Sequence, residues 1–210
     1  LPQQANREPR DADFEIDGKG MFVMPGFVDM HVHGAGKDKA PDLSYSYKLW
    51  LAHGVTTVRG VSLSSAAVSS SEKNRSARNE IVAPRIFNYQ TLGSGWSEGP
   101  VRSPEKAREW VRWAAANNID GIKFFNRGDE TPEIDTAAID EAHKNKMGTV
   151  AHLSQNNVAM FNARQAGDAH LDTVTHSYGH MESPLKDTTI QDFPTDYASN
   201  NEQHRFGEHA

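Results

Sequence analysis

An α/β architecture on a parallel sheet is what this sequence predicts, from three observations. Short β-branched runs alternate with helical patterns along the chain, the segments between them carry turn and capping residues, and the chemically unusual side chains gather where the runs end. Strands alternating with helices in this way form βα units around a parallel sheet, as a doubly wound sheet or as a (β/α)8 barrel.

The first run is GFVDMHVH, residues 26–33, preceded by a polar, proline-containing stretch. Successive side chains of a strand alternate between faces, so His31 and His33 point the same way. Asp29, inside this run, is suited to orienting a neighbouring group or a loop. The second run is GVTTVRGV, 54–61, with His53 just before it as a helix-end residue. The Ser-rich stretch 62–76 contains alanines and is followed by ARNEIVAPR, which favours a loop and a helix leading to the third run, PRIFNYQ, 84–90. GSGWSEGPVRSP, 93–104, then has the composition of a loop at an active site. Ser103 caps a helix with Pro104 first and Ala107, Trp110, Val111, Ala114 and Ala115 on one face. The fourth run is IDGIKFF, 119–125. After it, Asp135 is expected to cap a helix flanked by Ile134 and Ile139 at staple positions and closed by Gly148. GTVAHLS, 148–154, a helix from about 157 to 167, and LDTVTHS, 171–177, complete six strands.

Composition narrows the partners. With 210 residues, 37% hydrophobic and 24% charged, the chain suits one well-buried soluble domain. A net charge of −6, an isoelectric point near 5.9 and the absence of any Lys/Arg run argue against nucleic acid and anionic membranes, leaving small molecules or protein as partners. The lack of cysteine excludes disulfides, thiolate metal sites and cysteine nucleophiles. No apolar run approaches the roughly 20 residues of a membrane-spanning helix. The compartment stays open, since the chain starts at Leu1 and an upstream segment is expected to have been removed.

The placement of the unusual residues selects the barrel. His31, His33, Lys123, His152 and His176 fall at the carboxyl ends of four different strands, which in a barrel converge on one site. A Rossmann sheet would need a G-x-G-x-x-G turn after the first strand, and HVHGAGKDKA lacks it. A histidine at a strand end can also be an ordinary hydrogen-bonded structural residue; the His31/His33 pair is the stronger signal. Lys123 lies between Ile122 and Phe124–Phe125 in a strand covered on both faces, where burial disfavours the ammonium and leaves an amine able to react with an electrophile. As a carbamate formed with carbon dioxide it becomes a carboxylate able to bridge two cations. The alternative is a lysine whose amine snorkels to the strand end.

The segments VMPGFVDMHVHG, GVTTVRGV and DGIKFF, with this His-x-His, Lys, His, His order, resemble the amidohydrolase superfamily of metal-dependent hydrolases, in the branch of imidazolonepropionase-like and Xaa-Pro-dipeptidase-like enzymes. The likeness spans roughly residues 18–180. It implies a binuclear centre in which His31 and His33 bind the more buried ion, carboxylated Lys123 bridges both, and His152 and His176 bind the other. Lys123 and His176 then belong to the catalytic machinery. Nitrogen and oxygen ligands without thiolate suit two zinc ions, with manganese, cobalt or iron as alternatives. Tyr178 and His180, in THSYGH, are placed to meet an amide or dipeptide-like substrate, or else line the rim.

One departure stands out. The family's aspartate at the end of strand eight has no counterpart, because Asp187, Asp192 and Asp196 lie in turn-like text after the sixth strand. The expectation is therefore an incomplete TIM-type (β/α)8 barrel of about six βα units. Residues 1–24 would be the remnant of an N-terminal β-sandwich segment and lead-in, and 25–210 the partial barrel. The open edges would be completed by a homo-oligomer or by the remainder of the same chain. The 210-residue chain by itself is expected not to hydrolyse amides. The competing reading is a non-catalytic fragment or pseudoenzyme that acts, if at all, through protein association.

Overall fold

Six β-branched runs become six strands, each leading into the next through a crossover. The computed structural model describes residues 16–34, 42–125, 130–153, 161–176, 178–180 and 183–184. The elements run β1 (Phe27–Val32), α1 (Ser44–Ala52), β2 (Val55–Val61), α2 (Ala66–Ala77), β3 (Arg85–Thr91), α3 (Pro104–Ala116), β4 (Gly121–Phe124), α4 (Pro132–Lys144), β5 (Gly148–His152), α5 (Ala163–Asp168) and β6 (Thr173–Thr175). The strands are all parallel and lie in sequence order, β1-β2-β3-β4-β5-β6.

The sheet curls. Arg59 of β2 donates from Nη1 to Oγ1 of Thr173 in β6 at 3.2 Å, although four strand spacings of about 4.8 Å each would separate those strands in a flat sheet. Lys123 of β4 likewise reaches Thr175 of β6. These bonds cross a concave inner face, so the six strands form an incomplete TIM-type barrel with helices outside, as expected.

Local chemistry explains most element boundaries. Ser103 caps α3 by accepting the Lys106 N–H, Pro104 opens it, and Ala107, Trp110, Val111 and Ala114 are buried. Asn162 and Gln165 form a capping box that opens α5 at Ala163. The expected helix from 157 thus begins later, and 154–160 lie outside the described residues. His53 is the C-cap of α1, a helix the periodicity did not announce, and Ser65 caps α2 within the Ser-rich stretch.

The expected start of the fourth helix is corrected. Thr131, not Asp135, is its N-cap, with Pro132 first, and Gly148 does not close the helix because it opens β5. Thr131–Pro132 combines a capping hydroxyl with a ring that fixes φ for the first turn, and it lies one turn earlier. Asp135 is therefore carried into the helix and is wholly buried.

The apolar core has two parts. The larger packs α3 and α4 on β4 and β5, through Trp110, Val111, Ile122, Ile139, Ala142 and Ala151 among others. The smaller joins Val32, Tyr47, Val58, Leu63 and Ile86. Tyr89 of β3 lies against Gly121 and Gly148, where an added Cβ would collide with its ring or hydroxyl, so glycine at both positions makes room for it. Among the described residues no helix is long and apolar enough to cross a membrane. Asp187, Asp192 and Asp196 lie outside the described residues, as do 1–15 of the segment 1–24; its residues 16–24 run irregularly with a turn at Lys19–Gly20.

Candidate metal centre

Parallel topology sends every strand's carboxyl end to the same rim, and five of the expected residues meet there or just beneath it. His31 lies in β1 and His33 one residue past its end, their rings 5.0 Å apart and their Nε2 atoms in contact at 3.1 Å. The His176 ring stands 5.3 Å from that of His31 and 4.7 Å from that of His152, and Tyr178, buried, packs 5.4 Å from His152. Lys123 lies below them, 1% exposed, with Nζ donating to Oγ1 of Thr175 at 3.2 Å and standing 5.2 Å from the Phe125 ring centre. It does not snorkel. His180 is exposed on the turn after β6, and its carbonyl oxygen accepts from Ser183.

The backbone is shaped for this meeting at two points. Pairing of β1 with β2 steps from Asp29↔Val58 to Val32↔Gly60, so β1 spends one extra residue there, a bulge of the kind found beside active sites. Oδ1 of Asp29 accepts the His31 N–H at 3.0 Å, the orienting role its position in the strand suggested. At the other end His176 sits at φ +70°, a left-handed conformation rarely adopted by a side-chain-bearing residue, as β6 ends.

Electrostatics favour uncharged donors. Burial, followed by the nearby Lys123 charge, pushes the His31 imidazolium down to about 3. The same two causes lower His33, opposed by its hydrogen bond to the Val61 backbone. Burial and then Arg59 bring the Lys123 ammonium down to about 8. Both imidazoles therefore keep their lone pairs at neutral pH, and about a tenth of Lys123 is free amine at pH 7.

These donors suit a divalent ion. Nδ1 of His31 is buried without a hydrogen-bond partner, two neutral imidazoles face each other through Nε2, and the donors are nitrogen only, as zinc and its neighbours in the series accept. The rings pack edge to face, and among the described residues no three His, Asp or Glu side chains already surround one point. Rotation of the rings about their side-chain bonds would be needed to gather them on an ion.

The amidohydrolase family profile matches residues 22–193, most of the chain and every residue of this cluster. The chain belongs to the amidohydrolase family. This amidohydrolase is similar to a provisionally assigned prolidase from Bifidobacterium longum, with 25% identity and a TM-score of 0.60, over 76% of this chain and 42% of that one. It is similar in fold to a prolidase complexed with N-methylphosphonate-L-proline, with 19% identity and a TM-score of 0.56, over 80% of this chain and 52% of that one. The amidohydrolase chain thus spans about half or less of the length of these structures. No curated protein matches it.

Sequence reasoning passed over Arg59, Tyr89 and Thr175, which lie next to this cluster in the amidohydrolase. The signal for Arg59 was like that for Lys123, a cation inside a β-branched run. The loop 93–104 follows β3 and so lies on the same rim, with its Ser94 carbonyl held by the Trp110 indole N–H.

Proposed function

We propose that the protein is a metal-dependent hydrolase of amide-type C–N bonds in dipeptides or N-acylated amino acids. The observation that carries this is the cluster of His31, His33, His152 and His176 above the buried Lys123, at the carboxyl rim of the sheet. The likeness to the prolidase-type protein supports a dipeptide as substrate.

In this reading His31 and His33 hold the more buried of two ions and His152 and His176 the other. Lys123, whose free amine can add to carbon dioxide and give up a proton to form a carbamate, would serve as a further, carboxylate-like ligand to them. Two divalent ions, zinc first with manganese, cobalt or iron as alternatives, would polarise the scissile carbonyl and lower the pKa of a water. Burial of Lys123 keeps its amine out of bulk water. Tyr178, buried beside His152, would meet a substrate only by turning outward, whereas His180 is exposed on the same turn and would meet it as it stands. The division into a lead-in at 1–24 and a partial barrel at 25–210 belongs to the same proposal.

A second reading, a chain without turnover that acts by association, is favoured by the open β1 edge, where Phe27, Val28 and Met30 are more than half exposed. In it the covering partner is a second copy or the remainder of the same chain.

The test uses the intact protein, loaded with Zn²⁺ or Mn²⁺ in bicarbonate and assayed on Xaa-Pro dipeptides, other dipeptides and N-acyl amino acids. Turnover is expected with two ions per chain. His31→Ala and His33→Ala should each lose roughly half or more of the bound metal by elemental analysis, and Lys123→Ala should lose activity that formate or acetate partly restores. Unchanged metal content in both histidine variants would make the pair structural, and a fully loaded protein inert on every substrate would favour the second reading.

A further inference from the structure

One peptide unit in β1 takes a side-chain partner at each end. Its oxygen, the Met30 carbonyl, accepts from Nε of Arg59 at 2.5 Å, and its N–H, that of His31, donates to Oδ1 of Asp29 at 3.0 Å. This unit lies in the bulge, where β1 takes three steps from Asp29 to Val32 against two on β2. Regular pairing cannot serve both ends of such a unit, and a buried backbone group without a partner is disfavoured.

Arg59 does more than fill that need. It is 6% exposed, its guanidinium stands 5.2 Å from the Tyr89 ring centre, and its second arm donates from Nη1 to Thr173 Oγ1 at 3.2 Å. Among the described residues no carboxylate pairs with it, so this buried cation is balanced by a carbonyl, a hydroxyl and an aromatic face. Tyr89 is in turn seated against Gly121 and Gly148. Thr173 lies two residues before Thr175, which takes Lys123 Nζ, and three before His176. The three-residue strand β6 is thus tied to the interior by two cations at alternate positions.

We propose that Arg59 is a positioning residue that sets the histidine cluster from below: its Nε arm fixes the bulge that presents His31 and His33 together, and its Nη1 arm sets β6, and so His176, against them. This rests on the reading of the pair as half of a metal centre, and it adds a residue that touches neither ion nor substrate. Thr173→Val removes one arm and leaves the other, Arg59→Lys keeps one donor within reach of Met30, and Arg59→Met removes both.

The experiment reads two things in the intact protein. Histidine-ring NMR signals are recorded metal-free, and Co²⁺ is then titrated while its visible d–d absorption is followed. Arg59→Met is expected to shift the His31 and His33 signals before any metal is added and to weaken binding of the first cobalt by about 10-fold or more, as loss of a ligand-orienting partner does. Arg59→Lys should restore the His31 and His33 signals and much of the affinity. Thr173→Val should displace His176 most, leave His33 unmoved, and change His31 only as its ring neighbour His176 shifts. A folded Arg59→Met with wild-type ring signals and cobalt affinity overturns the proposal, however much its melting temperature falls. If Arg59→Met does not fold, Arg59→Lys and Thr173→Val decide it, and ring signals that move together in both variants overturn it. A wild type that binds no cobalt, with ring signals still displaced in Arg59→Met, would sink the metal centre and keep the clamp.

Discussion

Around β4 and β5, helices α3 and α4 close the outer face with Trp110, Val111, Ile122, Ile139 and Ala142 all out of water. Around β1 the buried set shrinks to Val32, Tyr47, Val58, Leu63 and Ile86, while Phe27, Val28 and Met30 stay 55–57% exposed. The candidate centre straddles the two regions. Lys123 and His152 rise from the thickly packed one, where dispersion and burial fix the backbone. His31 and His33 rise from the thin one, where the bulged peptide depends on the Arg59 and Asp29 side chains. Where packing is sparse, polar contacts set the geometry, and each lost contact removes a larger share of the restraint.

The largest effect should come from cutting each region at its anchor. Trp110→Ala is expected to cost about 3–5 kcal/mol by denaturant unfolding, as for a large, fully enclosed aromatic. Val32→Ala, with less to lose and room nearby to relax, should cost about 1–2 kcal/mol. Equal losses would mean that the β1 region is as firmly built as the other.

A second test asks what burial in the thick region demands of a polar group. Asp135 is wholly buried, neither oxygen has a hydrogen-bond partner among the described residues, and burial, aided by Glu130, pushes its carboxyl up to about 8. The folded chain then keeps a proton that the unfolded chain releases near pH 4, so between about pH 4 and 8 this residue lowers stability as pH rises, by roughly 1 kcal/mol per pH unit. Asp135→Leu should melt higher than wild type at pH 8, with the gap closing towards pH 4. A gap that does not change with pH would mean that Asp135 is already ionised in the fold.

The smallest effect is expected at the seam of α3 and α4, where Arg112 meets Glu141 at 2.9 Å and Arg108 reaches Asp140 and Glu141. Arg112 is 53% exposed, so Arg112→Ala should cost at most about 1 kcal/mol by denaturant unfolding. A larger loss would show charge, and not packing alone, holding the thick region together.

Much of this was legible along the chain. All six strands fall where β-branched runs predict them, and Ser103 opens α3 as expected. The start of α4 was misplaced because Asp135, flanked by Ile134 and Ile139, offers a cap as plausible as Thr131–Pro132, and two local signals one turn apart compete on nearly equal terms.

The sequence by itself determined the βα order and the rim on which the five cluster residues meet, and it left Lys123 open between a buried amine and one that snorkels. The first two follow from the alternation of β-branched and helical runs and from the direction of parallel strands, which a few neighbouring residues set. Only the tertiary structure decided the bulge at Met30–His31, the reach of Arg59 to residues 29 and 114 positions away, and the approach of His176 to His31. Those depend on how far the sheet curls and how its strands slide in register. Both are set by the summed packing of distant segments, and no short window of sequence contains that sum.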